Sequence, residues 1–268
     1  MFLAPQILAR SQPRASSGGG AHAAAFLART SGLDGTHITA YTNLINGLDT
    51  DGLFSKLDVL HIYATQDSTT ALLNLVSTSY NGTANGSPTF TTDRGYTGVE
   101  NSSTIYIDTG FNPSTAPSPQ FTQNSAHVSA WSVTSTGFGG GSIIGVAPGN
   151  TGTFIDPRNN SALGIFSVMG GSQLTVSQAT RNGHYLANRD SSSAIEAFLN
   201  GSNIGSLAST SVGVSNANIY ALSVNTSGSA IGSACQVAMA SIGSSLSSTD
   251  ATNFYNRLRT YMTAVGVP

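Results

Sequence analysis

Hydrophobic and polar positions alternate with a period of two from Ala194 onward: Ile195, Ala197 and Leu199 fall on one side, Glu196 and Phe198 on the other. The alternation runs into Asn200-Gly201, and SNIGSL follows. Period two marks a half-buried strand, and Asn-Gly supplies the positive φ of a tight turn, so the stretch predicts a β-hairpin. The same reading applies from Val76 onward. STIYIDTGF, AHVSAWSV, SIIGVAP, LGIFSVMGG, SQLTVSQAT, GHYLANR, NIYALSVN and CQVAMASIG are strand-like and separated by Gly, Asn, Ser and Pro clusters. Many short strands at such spacing predict an all-β sandwich or barrel.

Both ends carry a helical period instead. Ile38, Tyr41, Leu44, Ile45 and Leu48 recur at helical spacing, with Asp34 or Thr36 as N-cap. A turn, DGLFSKL, leads to the β-like LDVLHIYA, and Asp67 caps a short helical run, ALLNLV. Phe254, Leu258, Tyr261, Met262 and Val265 form a second stripe, preceded by a Ser/Thr/Asp cap and closed by Gly266. Residues 1–30 contain ASSGGGAHAAA and predict a flexible arm. The expected division is an arm over 1–30, a helical and β lead-in over 31–76 packed on the sandwich, and a sandwich with its C-terminal helix over 77–268.

Composition narrows the partners. Only 8% of the 268 residues are charged and the formal net charge is -2, which argues against nucleic acid. Lys56 is the sole lysine, so a polybasic membrane patch is not expected. MFLAPQILARSQPR is a poor match to a secretion signal, and no apolar run reaches the length of a membrane span. Cys235 is alone, within SACQVAMA, and reads as a small buried hydrophobe rather than half of a disulfide or a thiolate metal site.

Catalytic and metal chemistry are hard to assemble from these residues. Glu100 and Glu196 are the only glutamates and are far apart in the chain. Glycoside cleavage needs two carboxylates that meet across a bond, which an Asp could also supply. The five histidines have no metal-ligand spacing. GLDTDGLFSKLD places Asp49, Asp51 and Asp58 near an EF-hand pattern, but Gly47 occupies the first ligand position and the terminal Glu is missing. Neither a metal nor a cofactor is expected.

Three strands place an aromatic on their more polar face. Tyr106 stands with Asp108 opposite Ile105 and Ile107, Trp131 with His127 and Ser129 opposite Val128 and Ala130, and Phe198 with Glu196. One reading is a carbohydrate platform made of Tyr106, Asp108, Trp131, Phe198 and Glu196, with His127 and Arg189 as further hydrogen-bonding groups. The other is packing: the helical stripes need a partner, and aromatics beneath a helix are core.

AHVSAWSV, IEAFLNGSNIGSL and the closing ASIGSSLSSTDATNFYNRLRTYMTAVG resemble the concanavalin A-like lectin/glucanase jelly roll in its laminin-G-like form. GLDGTHITAYTNLINGL, SKLDVLHIYA, LLNLV, SPTFTTDRGYTG and YIDTGFNPST are similar to proteins of tailed phages and prophages, so the resemblance spans about residues 26–266. It implies an all-β, concanavalin A-like jelly-roll β-sandwich with flanking N-terminal and C-terminal helices. The acid cluster of the family's enzymes is missing, so a non-enzymatic role is expected. The resemblance further implies a component of the virion surface, on capsid, neck or tail. It would dock on other virion proteins through an arm carrying Arg10, Arg14 and Phe26, form a homo-oligomer, and recognise host surface glycans. A free-standing lectin-like adhesin is the first alternative and an unrecognised glycoside hydrolase the second.

Overall fold

Helix α1 (Gly19–Leu27) falls inside the stretch expected to be a flexible arm. The computed structural model describes residues 19–134, 141–149 and 151–268. In it α1 packs along α2 (Gly35–Thr50), and the ring of Phe26, 0% exposed, lies 4.8 Å from that of Tyr41. Phe26 is therefore core rather than an assembly contact. Ala23 and Phe26 recur on one helix face, which is enough apolar surface to dock a short helix on a longer one. Arg10 and Arg14 lie outside the described residues.

The cap of α2 is Asp34, whose carboxylate accepts the His37 N–H at 2.9 Å. Strand β1 (Leu57–Ile62) and the single turn α3 (Ser68–Ala71), capped by Asp67, follow. Short strands come next: β2 (Thr83–Asn85), β3 (Thr89–Thr91), β4 (Gly95–Thr97) and β5 (Tyr106–Asp108). The body of the fold is β6 (Ala126–Ser132), β7 (Ile144–Val146), β8 (Thr153–Asp156), β9 (Leu163–Val168), β10 (Leu174–Ser177) and β11 (Gly183–Arg189). The chain continues through β12 (Ala194–Leu199), β13 (Ser202–Ala208), β14 (Tyr220–Ala221), β15 (Ser223–Thr226), β16 (Ser229–Gly232) and β17 (Gln236–Gly243). It closes with α4 (Ser248–Ala264).

These strands form two sheets. The first runs β13-β12-β11-β6-β17-β4-β3, with β1 paired along β17. The lead-in thus contributes a strand to the sandwich besides packing on it. The second runs β10-β9-β8-β7-β14-β5-β2, and the β15-β16 hairpin joins it through a parallel contact with β7. All other pairings are antiparallel, and the architecture is the expected jelly-roll β-sandwich with helices at both ends. The predicted hairpin is β12-β13, with Asn200 at φ 51° and Gly201 at φ 77° and Leu199 opposite Ser202. Two successive positive φ values are the type I′ turn that Asn-Gly favours.

The alternation of the strands builds two cores. Val128 and Ala130 of β6 and Ile195 and Ala197 of β12 point inward to meet Ile107, Ile144, Ile155 and Phe166 of the second sheet. The opposite face of the first sheet offers Leu60, Trp131, Leu186, Phe198 and Met239 to Tyr41, Leu44, Phe254, Leu258 and Tyr261 of the helices. Helix α4 is held over that face by a capping box between Ser247 and Asp250. The Lys56–Asp250 pair at 2.7 Å and the Arg257–Asp51 pair at 2.8 Å add to the hold. The molecule has three layers: helices, first sheet, second sheet. Among the described residues, no helix covers the outer face of the second sheet.

Candidate functional site

That uncovered face carries the candidate site. On β5, Ile107 enters the sandwich core, so Tyr106 and Asp108 point out. Residues directly opposite in an antiparallel pair share a face. Asp108 pairs with Tyr220, Tyr220 with Gly145, Gly145 with Phe154 and Phe154 with Ser167, so these five form one outward row across five strands. Glycine is required in the middle of the row, because a Cβ on Gly145 would collide with the Cβ of Phe154. Phe154 can therefore lean over the β7 backbone.

The rings of Tyr106 and Tyr220 stack with centroids 4.2 Å apart and planes 15° from parallel. Tyr106 and Phe154 are half-buried and Tyr220 is 7% exposed. Burial and the neighbouring Tyr106 hydroxyl push the Tyr220 phenol up to about 12, so it stays a protonated donor at neutral pH. Both oxygens of Asp108 accept from Asn218 Nδ2, at 3.0 and 3.1 Å, and one also accepts the Gly110 N–H at 2.8 Å. Asn225 in turn donates to the Asn218 carbonyl at 2.8 Å, which ties the site to the β15-β16 hairpin. At the Phe154 end the row meets a cavity of about 150 Å³ lined by Phe154, Ser167, Gly170, Gly171 and Gln173. The face therefore offers flat aromatic surface, fixed amide and carboxylate groups, and a small notch at one end.

Of the residues expected to form a platform, only Tyr106 and Asp108 come together. Trp131 and Phe198, 2% and 1% exposed, lie beneath the helices on the first sheet. Trp131 stacks on Tyr255 of α4 at 5.6 Å with planes 15° apart, and the Arg259 guanidinium sits 5.6 Å from its ring centroid. Both are packing residues: burying such a ring stabilises the fold by about 2–3 kcal/mol, so the face that needs covering is covered. Glu196 is on the first sheet as well, accepting from Asn203 at 3.2 Å and from Asn188 at 3.4 Å. It belongs to the hairpin rather than to the aromatic row. His127 and Arg189 are fully buried, Arg189 donating to the carbonyls of Val168 and Ser209.

The remaining polar residues have structural partners. His127, Ser241, Ser129 and His184 form a buried chain of hydrogen bonds at 3.1, 2.7 and 3.0 Å under α4. Burial pulls His127 down to about 4 and His184 to about 3, so both are neutral in the folded protein. Asp49 bonds His22, Asp51 bonds Arg257, and Asp58 accepts the Gln120 and Phe121 N–H groups, so the EF-hand-like acids are all engaged. Among the described residues no group of three or more His, Cys, Asp or Glu could hold a metal ion. Cys235 is buried, with Arg181 Nη1 donating to its sulfur at 3.7 Å.

Sequence reasoning missed Tyr220, Phe154 and Asn218. The signal for Tyr220 was present: in NIYALSVN, Ile219 and Ala221 are core and Tyr220 alternates with them. Phe154 lies in a four-residue strand, too short for periodicity to assign its face.

No protein-family model matches this chain, and no curated protein matches it. Solved structures do. A chain of botulinum neurotoxin type C, a toxin whose cell entry depends on interaction with two ganglioside molecules, matches with a TM-score of 0.55. The identity is 12%, over 78% of this chain and 53% of that one. The binding domain of botulinum neurotoxin serotype D matches at 0.54, with 12% identity over 77% of this chain and 52% of that one. The binding domain of Paraclostridial Mosquitocidal Protein 1 matches at 0.53, with 12% identity over 76% and 53%. This chain spans about half the length of those chains. At such identities the likeness is one of fold: a jelly-roll β-sandwich.

Proposed function

We propose that the protein is a carbohydrate-binding module whose ligand surface is the outer face of the second sheet. The observation that carries this reading is the Tyr106–Tyr220 stack beside Asp108 and Asn218, on the sheet face that the helices leave open. A pyranose ring presents C–H groups to an aromatic face and hydroxyls to flanking carboxylate and amide groups, and this row supplies both. The type C neurotoxin, similar in fold and dependent on gangliosides, supports carbohydrate as the ligand class without extending to the acidic character of its own ligands. The test is binding of the purified chain to a glycan array, beside Tyr106→Ala and Phe154→Ala variants of unchanged circular dichroism. Saturable binding weakened in both variants is expected. Binding unaffected by either would overturn the assignment of the face.

We further propose that binding occurs without turnover and at the surface of a tailed-phage particle, in several symmetric copies docked on other virion proteins. The resemblance of residues 26–266 to phage and prophage proteins supports this setting, as does a chain with so few charged residues. Mass spectrometry of purified particles should find the chain at a fixed copy number. Release of reducing ends from a bound glycan would contradict the non-enzymatic reading and favour a glycoside hydrolase.

A further inference from the structure

We propose that Asp108 makes this face selective for uncharged glycans and disfavours chains bearing carboxylate or sulfate groups. The inference rests on the carbohydrate reading above and adds the charge of the ligand to it. The row Asp108, Tyr220, Gly145, Phe154 and Ser167, together with Tyr106 and the opposing Thr83 and Asn85, contains one charged residue, and it is an acid.

Its carboxylate is fixed. Three hydrogen bonds, two from Asn218 Nδ2 and one from the Gly110 N–H, hold it in place beside the stacked rings. A carboxylate so held accepts a hydroxyl from a neutral sugar but cannot swing aside to admit an anion. Asp156, the next carboxylate on this side of β8, is buried with the charge of Arg181 acting on it, so Asp108 is the acid that the face presents.

None of the residues of the row is a cation, and Arg158, two residues beyond Asp156, donates to the Gln178 carbonyl. Lys56 and Arg257 pair with Asp250 and Asp51 in the helical layer, and Arg259 lies over Trp131. Arg181 and Arg189 are buried on backbone carbonyls. A site built for an acidic sugar would aim a guanidinium or ammonium at it, because charge-assisted hydrogen bonds are the strong ones. None of the row residues provides one. Across about 6 Å of largely aqueous surroundings, repulsion between Asp108 and a ligand carboxylate amounts to about threefold in affinity, and to more where the face excludes water.

The experiment pairs each neutral oligosaccharide on an array with its counterpart bearing a terminal uronic or sialic acid. The neutral member should bind better by about threefold or more in every pair that binds, and Asp108→Asn should narrow that ratio. As the ratio is taken within one protein, a general loss of affinity in the variant does not obscure it. The unmodified protein supplies a second readout. Raising ionic strength from about 0.02 M to about 0.5 M should shrink the neutral-over-acidic ratio by screening the repulsion. Equal or tighter binding of the acidic members, with a ratio unmoved by salt, overturns the selectivity while leaving the carbohydrate reading intact. Binding to no member of any pair overturns the carbohydrate reading itself.

Discussion

The rings of Tyr106 and Tyr220 stack 4.2 Å apart on neighbouring strands, on a sheet face that no described helix covers. Tyr106 is the more exposed of the two. Its truncation should therefore weaken ligand binding more than it weakens the fold. Tyr106→Ala removes a ring whose stacking on the sugar contributes about 1 kcal/mol, roughly a fivefold loss in affinity, and Tyr106→Phe keeps most of it. Calorimetric titration of both variants with a binding glycan checks this ordering.

Trp131 should behave in the opposite way. It lies between the first sheet and α4, so Trp131→Ala is expected to cost about 3–5 kcal/mol of stability. A milder Trp131→Phe should leave glycan affinity unchanged while lowering the denaturation midpoint. Chemical denaturation paired with binding on the same samples separates the two effects.

Acidification should destabilise the helical layer through the buried histidines. Unfolded histidine titrates near 6.5, whereas burial lowers His127 to about 4 and His184 to about 3. The unfolded chain therefore takes up protons first as pH falls below about 6.5. Each histidine then removes about 1.4 kcal/mol per pH unit until its folded value is reached. His184→Phe, in a pocket walled by Trp131, Phe254 and Tyr255, should flatten the acid limb of a stability–pH curve.

His37 should act with the reverse sign. Burial lowers its pKa, but hydrogen bonds to Asp34 and Asp93, both at 2.8 Å, outweigh burial, and the net shift is upward. A raised folded value means the contribution is complete below about 6.5 and fades as pH rises through the folded pKa. His37→Gln should lose about 1–2 kcal/mol at pH 6 and less at pH 9, which thermal melts across that range would show.

Gly201 couples the hairpin to α4. Its φ is +77°, and a Cβ there would stand 3.0 Å from Thr252 Cα and 3.1 Å from Tyr255 Cβ. Gly201→Ala should cost about 1–2 kcal/mol through backbone strain and displacement of the helix, whereas Asn200→Gly should cost much less. Urea midpoints of the two variants give the comparison.

Much of the architecture is legible in the sequence because it follows from local chemistry. Asn200-Gly201, the Asp34 and Asp67 caps and the stripe from Phe254 to Val265 each specify their element within a few residues. The location of the site is not local. Tyr106, Trp131 and Phe198 show the same alternation, and only the topology decides which sheet receives a helical cover. That decision buried Trp131 and Phe198 and left Tyr106 facing outward. Phe26 shows the same limit, since a small-residue stretch reads as an arm until α2 supplies a surface for it. Gly145 and Phe154 find each other only through the register of β7 and β8.

Hydrogen–deuterium exchange of the free protein against the protein saturated with an array-selected glycan tests the central claim most directly. The account predicts that protection concentrates on β5, β7, β8 and β14 and on the Asn218 segment, with the helical layer unchanged. Protection centred instead on α2 and α4, with the second sheet unaffected, would contradict it.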